Sequence, residues 1–321
     1  MSRPQIDFLA CGNKTTIRNV PMQESSSGAP PLVSVGLAVR NTGETVGRAV
    51  RSILAQTYQN WELLVADDGS RDRTLESLMS FGDNRINLVT HSESAGLATR
   101  LNELIERSRG KYFARMDGDD FAFPERFSRQ VKFLEEHAAV DLVGCGTINF
   151  EGEGRIIGKL RVACEHEDIC RCPWRGFPLH HPTWMGKTDW FKKNRYDPRL
   201  GRAQDFELLL RTHRSSRFSC VFDPMLGYCL ERLTLARQFR SRLNVSRTLL
   251  RYGLTERHIR FFWGFAEQWL KMALDAAAIG SGLRYRLLRH RALEVSELEK
   301  ATFQAAWAKL QKMQQGIPCA A

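Results

Sequence analysis

WELLVADDGSRDRTLESLMSF, residues 61–81, changes its period half-way. Residues 61–68 are a short apolar run closing on two carboxylates, Asp67 and Asp68, and read as a buried strand. Residues 70–81 place Leu75, Leu78 and Met79 at helical spacing, with Ser70 as the expected N-cap. The same alternation runs on both sides. LVSVGLAV (32–39) reads as a strand, and NTGETVGRAVRSILAQTY (41–58) as a helix with Val46, Val50, Ile53 and Leu54 on one face. RINLVTH (85–91) is a third strand, GLATRLNELIERS (96–108) a helix with Leu97, Leu101, Leu104 and Ile105 inward, and KYFARM (111–116) a fourth strand. Strands alternating with helices predict an α/β, Rossmann-like sheet with both faces covered.

In such sheets ligands bind beyond the carboxyl ends of the strands. Two acidic turns fall there: Asp67-Asp68, and MDGDD with Asp117, Asp119 and Asp120. A carboxylate at a strand-to-helix turn serves either as a helix cap or as an acceptor for nucleotide hydroxyls and N–H groups. Carboxylates one residue apart on an extended loop either stay in a solvated turn or share a hard cation, which would neutralise a diphosphate. Arg115, just ahead of them, either touches phosphate or pairs with the aspartates.

The 321 residues, 43% hydrophobic and 26% charged, are enough for a substantial core and exclude a disordered chain. A polar MSRPQID start without an apolar h-region, and eight scattered cysteines, suit reduced thiols in a cytoplasm. The apolar stretch 261–280 is interrupted by Glu267, Lys271 and Asp275, so no membrane span is expected. Cys164, His166, Cys170, Cys172, His180 and His181 lack the paired Cys-x₂₋₄-Cys spacing of structural zinc.

Taken in order, VSVGLAVRN (33–41), SILAQTYQNWELLVADDGSRDRT (52–74), GLATRLNELIERSRGKYFARMDGDD (96–120), HPTWM (181–185) and AQDFELLLR (203–211) resemble the family 2 glycosyltransferases. The resemblance covers residues 32–230 and implies a GT-A fold: a nucleotide-binding mixed sheet with flanking helices, joined to an acceptor-binding half. It implies a donor-binding half over 32–120, with Asn41, Asp67, Asp68, Arg115 and Asp117 at the nucleotide-sugar, and an acceptor half over 121–231. Asp119 and Asp117, with Asp120 secondary, would hold Mg²⁺ or Mn²⁺ on the donor diphosphate. Asp205 falls where the family places its catalytic base, with Gln204 and His181 beside it as secondary residues.

The resemblance further implies transfer of a sugar, UDP-linked, to an acceptor hydroxyl by one inverting displacement, in cell-surface polysaccharide or glycolipid synthesis. The acceptor would be a glycan or a lipid-linked sugar. Two alternatives are a sugar-phosphate nucleotidyltransferase and a non-catalytic nucleotide-sugar-binding module. The first would need a Gly-rich, Lys- and Arg-bearing phosphate loop after the first strand, which GETVGR fits poorly; joint retention of Asp119 and Asp205 speaks against the second. Three departures from the family pattern stand out. Arg40 replaces the usual aromatic at the end of the first strand, Gln204 replaces a Glu, and there is no clear Gln-x-x-Arg-Trp of processive synthases.

Residues 1–31 end in PMQESSSGAPP and read as a flexible leader. Residues 232–321 read as a basic helical region, with 16 Lys or Arg against 6 Asp or Glu. HIRFFWGFAEQWLKM (258–272) and RYRLLRHR (284–291) suit either docking on an anionic membrane at the inner face or a helical cap with its aromatics packed inward. No nucleic-acid motif accompanies the charge.

Overall fold

A computed structural model describes residues 29–230, 235–280 and 293–316. The leader expected over residues 1–31 lies almost wholly outside them, as does RYRLLRHR.

The predicted alternation is present: β1 (Val33–Val39), α1 (Val46–Leu54), β2 (Trp61–Asp67), α2 (Thr74–Met79), β3 (Ile86–Thr90), α3 (Leu97–Arg107) and β4 (Tyr112–Met116). The four strands lie parallel in the order β3-β2-β1-β4, with Val33 opposite both Trp61 and Tyr112. Every residue of β2 and β4 is buried, as expected of a parallel sheet covered on both faces. Ser70 does not cap α2, which begins only at Thr74. Its hydroxyl instead bonds the Asp67 carboxylate and accepts from the Asn41 N–H, so it ties the ends of β1 and β2 together.

After β4 the connectivity changes. β5 (Phe121–Ala122), α4 (Arg126–Glu136), β6 (Leu142–Glu151), β7 (Arg155–Lys159), α5 (His166–Ile169), a 3₁₀ turn (His181–Thr183), β8 (Met185–Lys187), α6 (Thr188–Lys193), α7 (Gln204–Thr212) and β9 (Phe218–Cys229) complete the sheet. Its order is β3-β2-β1-β4-β8-β6-β9-β5, with β7 on β6. β8 runs antiparallel to β4, so the parallel run stops there and the neighbouring connections diverge beyond its carboxyl end. β5 returns antiparallel to β9, and Gly227 makes room for the Phe121 ring: a Cβ there would come within 2.1 Å of it. That approach pins the MDGDD turn between β4 and β9.

Among the described residues three helices follow: α8 (Leu235–Glu256), α9 (Ile259–Gly280) and α10 (Glu297–Gln314). α10 starts with a capping box, Ser296 accepting from the Glu299 N–H while the Glu299 carboxylate accepts from the Ser296 N–H. Its Phe303, Ala306 and Leu310 join Phe121, Phe123, Ile148 and Phe150 in one apolar cluster directly behind the acidic turn. α8 and α9 pack on α7 through Leu210, Leu249 and Phe261. Among the described residues no helix is long and apolar enough to cross a membrane.

Candidate active site

Two acidic turns flank the carboxyl end of β1. Asp67 pairs with Val39 in register, and Leu37 pairs with Met116 on the other side. With strands ~4.8 Å apart, the turns start about 10 Å from each other. They bound one crevice.

The two turns differ in chemistry. Asp68 is buried, and its carboxylate accepts from Ser94 Oγ at 2.6 Å, Ala95 N at 2.8 Å, Gly96 N at 3.0 Å and Arg100 Nε at 2.7 Å. Burial pushes its pKa up, but these four bonds outweigh burial and hold it below the usual carboxylate range. It anchors the start of α3. Asp67 is buried and engaged with Ser70. Asn41, with φ of 51°, accepts from the Arg71 N–H, and Arg40 reaches Ser94. A nucleotide contact from Asp68 would therefore share or displace a donor it already has.

The second turn is under-satisfied. Ligand oxygens of Asp117, Asp119 and Asp120 lie within 4.8 Å of one another, the only group of His, Cys, Asp or Glu atoms so placed among the described residues. The Cys and His residues of 164–181 do not gather in this way. Asp120 is fully buried; its Oδ1 accepts from Cys229 N at 2.8 Å, and its Oδ2 has no partner. Burial, then Asp119, then Asp117 push its pKa well above the ordinary value. An uncompensated buried carboxylate is expensive, and a cation would relieve it. Two oxygens bound to one divalent ion at ~2.1–2.4 Å are at most about 4.8 Å apart, so this set fits Mg²⁺ or Mn²⁺.

Arg115 lies at the centre. It is 2% exposed, its guanidinium pairs with Asp117, and its Nε and Nη1 are buried without a partner. Its backbone is clamped, the N–H donating to the Trp184 carbonyl at 2.8 Å and the carbonyl accepting from Arg126 at 2.7 Å. An anion at the mouth of the turn would supply the missing acceptors.

Asp205 lies in the first turn of α7, after Ala203, whose φ of 61° is unusual for a residue with a Cβ. The carboxyl group is enclosed by protein on most sides while the residue keeps a solvent-facing edge. Burial raises its pKa; the Phe206 N–H, Arg115 and its own N–H pull it part of the way back, and Asp117 pushes with burial. Arg115 and Asp117 thus act electrostatically on Asp205, although it is 88 residues from Asp117 in sequence. Gln204 beside it is buried with Oε1 unpartnered. His181 is buried, its Nε2 is 2.8 Å from Tyr196 Oη, and burial followed by Arg115 holds its pKa well below the ordinary value. Both effects favour the uncharged imidazole beside the Tyr196 hydroxyl.

Sequence reading missed four residues. Tyr196 feels both Asp205 and Asp117, Tyr228 feels all three aspartates of the turn, Arg126 clamps Arg115, and Arg48 donates to the Asp119 carbonyl at 2.7 Å. None carries a local pattern; each reaches the site from a different element.

Residues 34–195 match the family model for glycosyl transferase family 2, half of the chain. The chain belongs to that family. It is 34% identical over 187 residues to the putative glycosyltransferase EpsE of Bacillus subtilis, covering 56% of this chain and 66% of the relative. It is 32% identical over 130 residues to WfgD of Escherichia coli, a UDP-Glc:α-D-GlcNAc-diphosphoundecaprenol β-1,3-glucosyltransferase, covering 40% of this chain and 50% of that one. The match thus spans less than two thirds of either relative. Among solved structures, the mannosyltransferase PcManGT of Pyrobaculum calidifontis, in complex with GDP-Man and Mn²⁺, superposes with a TM-score of 0.54 at 17% identity, covering 88% of both chains. The fold is GT-A.

Proposed function

We propose that this protein is a glycosyltransferase that moves a sugar from a nucleotide-sugar to an acceptor hydroxyl with inversion. The observation that carries the reading is the convergence of a raised-pKa carboxylate, Asp205, with the Asp117–Asp120 cluster around the half-satisfied Arg115. Displacement at an anomeric carbon passes through an oxocarbenium-like state. It needs a base for the incoming hydroxyl and compensation for the departing phosphate.

Asp205 takes the proton from the acceptor hydroxyl, and burial, by raising its pKa, makes it a stronger base than an ordinary aspartate. Arg115 donates to the donor phosphates, and Asp117 keeps it in place. Asp119, Asp117 and Asp120 would hold Mg²⁺ or Mn²⁺. When bound, that ion supplies positive charge against the leaving diphosphate. One displacement needs no covalent intermediate, and inversion is its stereochemical outcome.

The phosphate-loop alternative is weakened by the turn after β1. Its N–H groups at Asn41, Thr42 and Gly43 are taken by Ser70 Oγ, Thr74 Oγ1 and Asp72 Oδ2 at 2.9, 2.7 and 3.0 Å. A nucleotidyltransferase would need such groups for a triphosphate. WfgD's acceptor, a diphosphoundecaprenol-linked GlcNAc, supports a lipid-linked acceptor here. WfgD's UDP-Glc favours a UDP-linked donor, and PcManGT's GDP-Man makes a guanine nucleotide the comparison to run.

The test is a panel of UDP- and GDP-sugars assayed by thermal shift and by metal-dependent hydrolysis. A rise in melting temperature that needs Mn²⁺ or Mg²⁺ supports the reading. No response to any nucleotide-sugar with either ion sinks it.

A further inference from the structure

The outward side of α9 is apolar where a water-facing helix should be polar. On α9, the exposed residues Ile259, Trp263, Ala266, Trp269, Leu270, Ala273 and Leu274 recur at spacings of three, four and seven, one side of a helix. Trp263 is 70% exposed, Ile259 66% and Leu270 60%. The opposite side holds the body: Gly264 lies against Trp174, the Arg260 guanidinium is over the Trp174 ring at 5.1 Å, and Glu267 pairs with Arg175. Antiparallel α8 adds exposed Phe239, Leu250 and Leu254.

The border of this patch is basic. Arg240, Arg247 and Arg251 are exposed on α8, and Arg257 is exposed in the turn between the two helices. The two described acids of the pair are neutralised, Glu256 by Arg214 and Glu267 by Arg175 and Lys271. Such a face is too polar at its edges to be a domain core and too short of apolar length to span a bilayer. A second copy is a poor occupant, because a two-fold contact would set this arginine-bearing face against itself.

We infer that the α8–α9 face docks on an anionic lipid surface, with Trp263, Leu270 and Ile259 in the headgroup–acyl boundary and the arginines on the lipid phosphates. The surface is coupled to the site by packing. Phe206, next to Asp205, lies in the cluster with Leu249 and Phe261, and Asn244 of α8 bonds the Arg202 carbonyl at 3.0 Å. Docking therefore sets the end of α7 that carries Asp205 near the membrane, where a lipid-linked acceptor is anchored; only this last step rests on the proposed transferase activity.

The test is sedimentation of the full chain with phosphatidylcholine vesicles, with and without phosphatidylglycerol, while tryptophan emission is monitored. The wild type should bind only the anionic vesicles, release them at high salt, and shift its emission to the blue. Trp263→Glu with Leu270→Glu, and separately Arg247→Glu with Arg251→Glu, should each lower partitioning about tenfold or more with the melting temperature unchanged. Equal binding to neutral vesicles, no binding to either, or unchanged partitioning of both variants would overturn the inference. So would a dimer that the Trp263 variant splits. Asp205→Asn should bind vesicles like the wild type, so a failed transferase reading leaves this result standing, and nucleotide-sugar binding measured without vesicles reports on that reading alone.

Discussion

The guanidinium of Arg48 lies 5.1 Å from the ring of Trp307 and 5.1 Å from that of Phe150, and it donates to the Asp119 carbonyl at 2.7 Å. A residue of α1 thus holds the acidic turn by its backbone, and a residue of the last helix holds that arginine. Replacing Trp307 with Ala should release Arg48 and loosen the turn. The expected result is about a tenfold loss of Mn²⁺-dependent nucleotide affinity by calorimetry, comparable to one charged hydrogen bond of ~1.5 kcal/mol. Trp307→Phe should restore most of it. Unchanged affinity in the Ala variant would reduce α10 to a passive cover.

Asp205→Asn should lower turnover by at least ~100-fold and leave donor affinity within twofold, the pattern of a lost general base. In the wild type, activity requires the ionised carboxylate, and burial raises its pKa. Turnover should therefore fall on acidification through an inflection above the ~3.9 of an ordinary aspartate. Arg115 lowers that pKa, so Arg115→Gln should move the inflection to higher pH. A shift to lower pH would contradict the placement of these two residues.

The metal set makes a graded prediction. Asp119→Ala and Asp120→Asn should each weaken Mn²⁺ binding by ~10–100-fold, measured by calorimetry or manganese resonance. Asp120→Asn should keep the fold, since the amide can still accept from the Cys229 N–H and loses a buried charge. Chelation with EDTA should abolish transfer, and added Mn²⁺ should restore it. Full activity in EDTA would remove the ion from the reaction.

Asp68 separates anchoring from nucleotide binding. Its four bonds predict that Asp68→Asn costs ~1–3 kcal/mol of unfolding free energy in urea near pH 7. Because its folded pKa is depressed, that contribution is complete above the unfolded value of ~3.9 and fades as pH falls below it. Wild type and variant should therefore differ at pH 7 and converge in acid. A variant as stable as the wild type but deficient in donor binding would assign Asp68 to the nucleotide instead.

Much of the fold was legible in the chain. The period change at residues 61–81, repeated on both sides, determined four parallel strands, because alternating strand and helix runs with apolar inner faces have few other ways to be buried. The carboxylates at strand ends came from the same reading, since the edge of a parallel sheet is set by chain direction. The order of β8, β6, β9 and β5 was not legible: β5 and β8 are two and three residues long, and antiparallel pairing of such short segments leaves no periodic trace. Nor did local sequence separate Asp68 from Asp120. Both are buried aspartates after a strand, but one meets four donors from α3 and its approach while the other keeps an oxygen without any. Tertiary structure alone decided that difference, as it decided that Trp307 would reach across to Arg48 and that the tryptophans of α9 would face outward. Periodicity says that a helix has an apolar side, and only the packing of its neighbours says whether that side is covered.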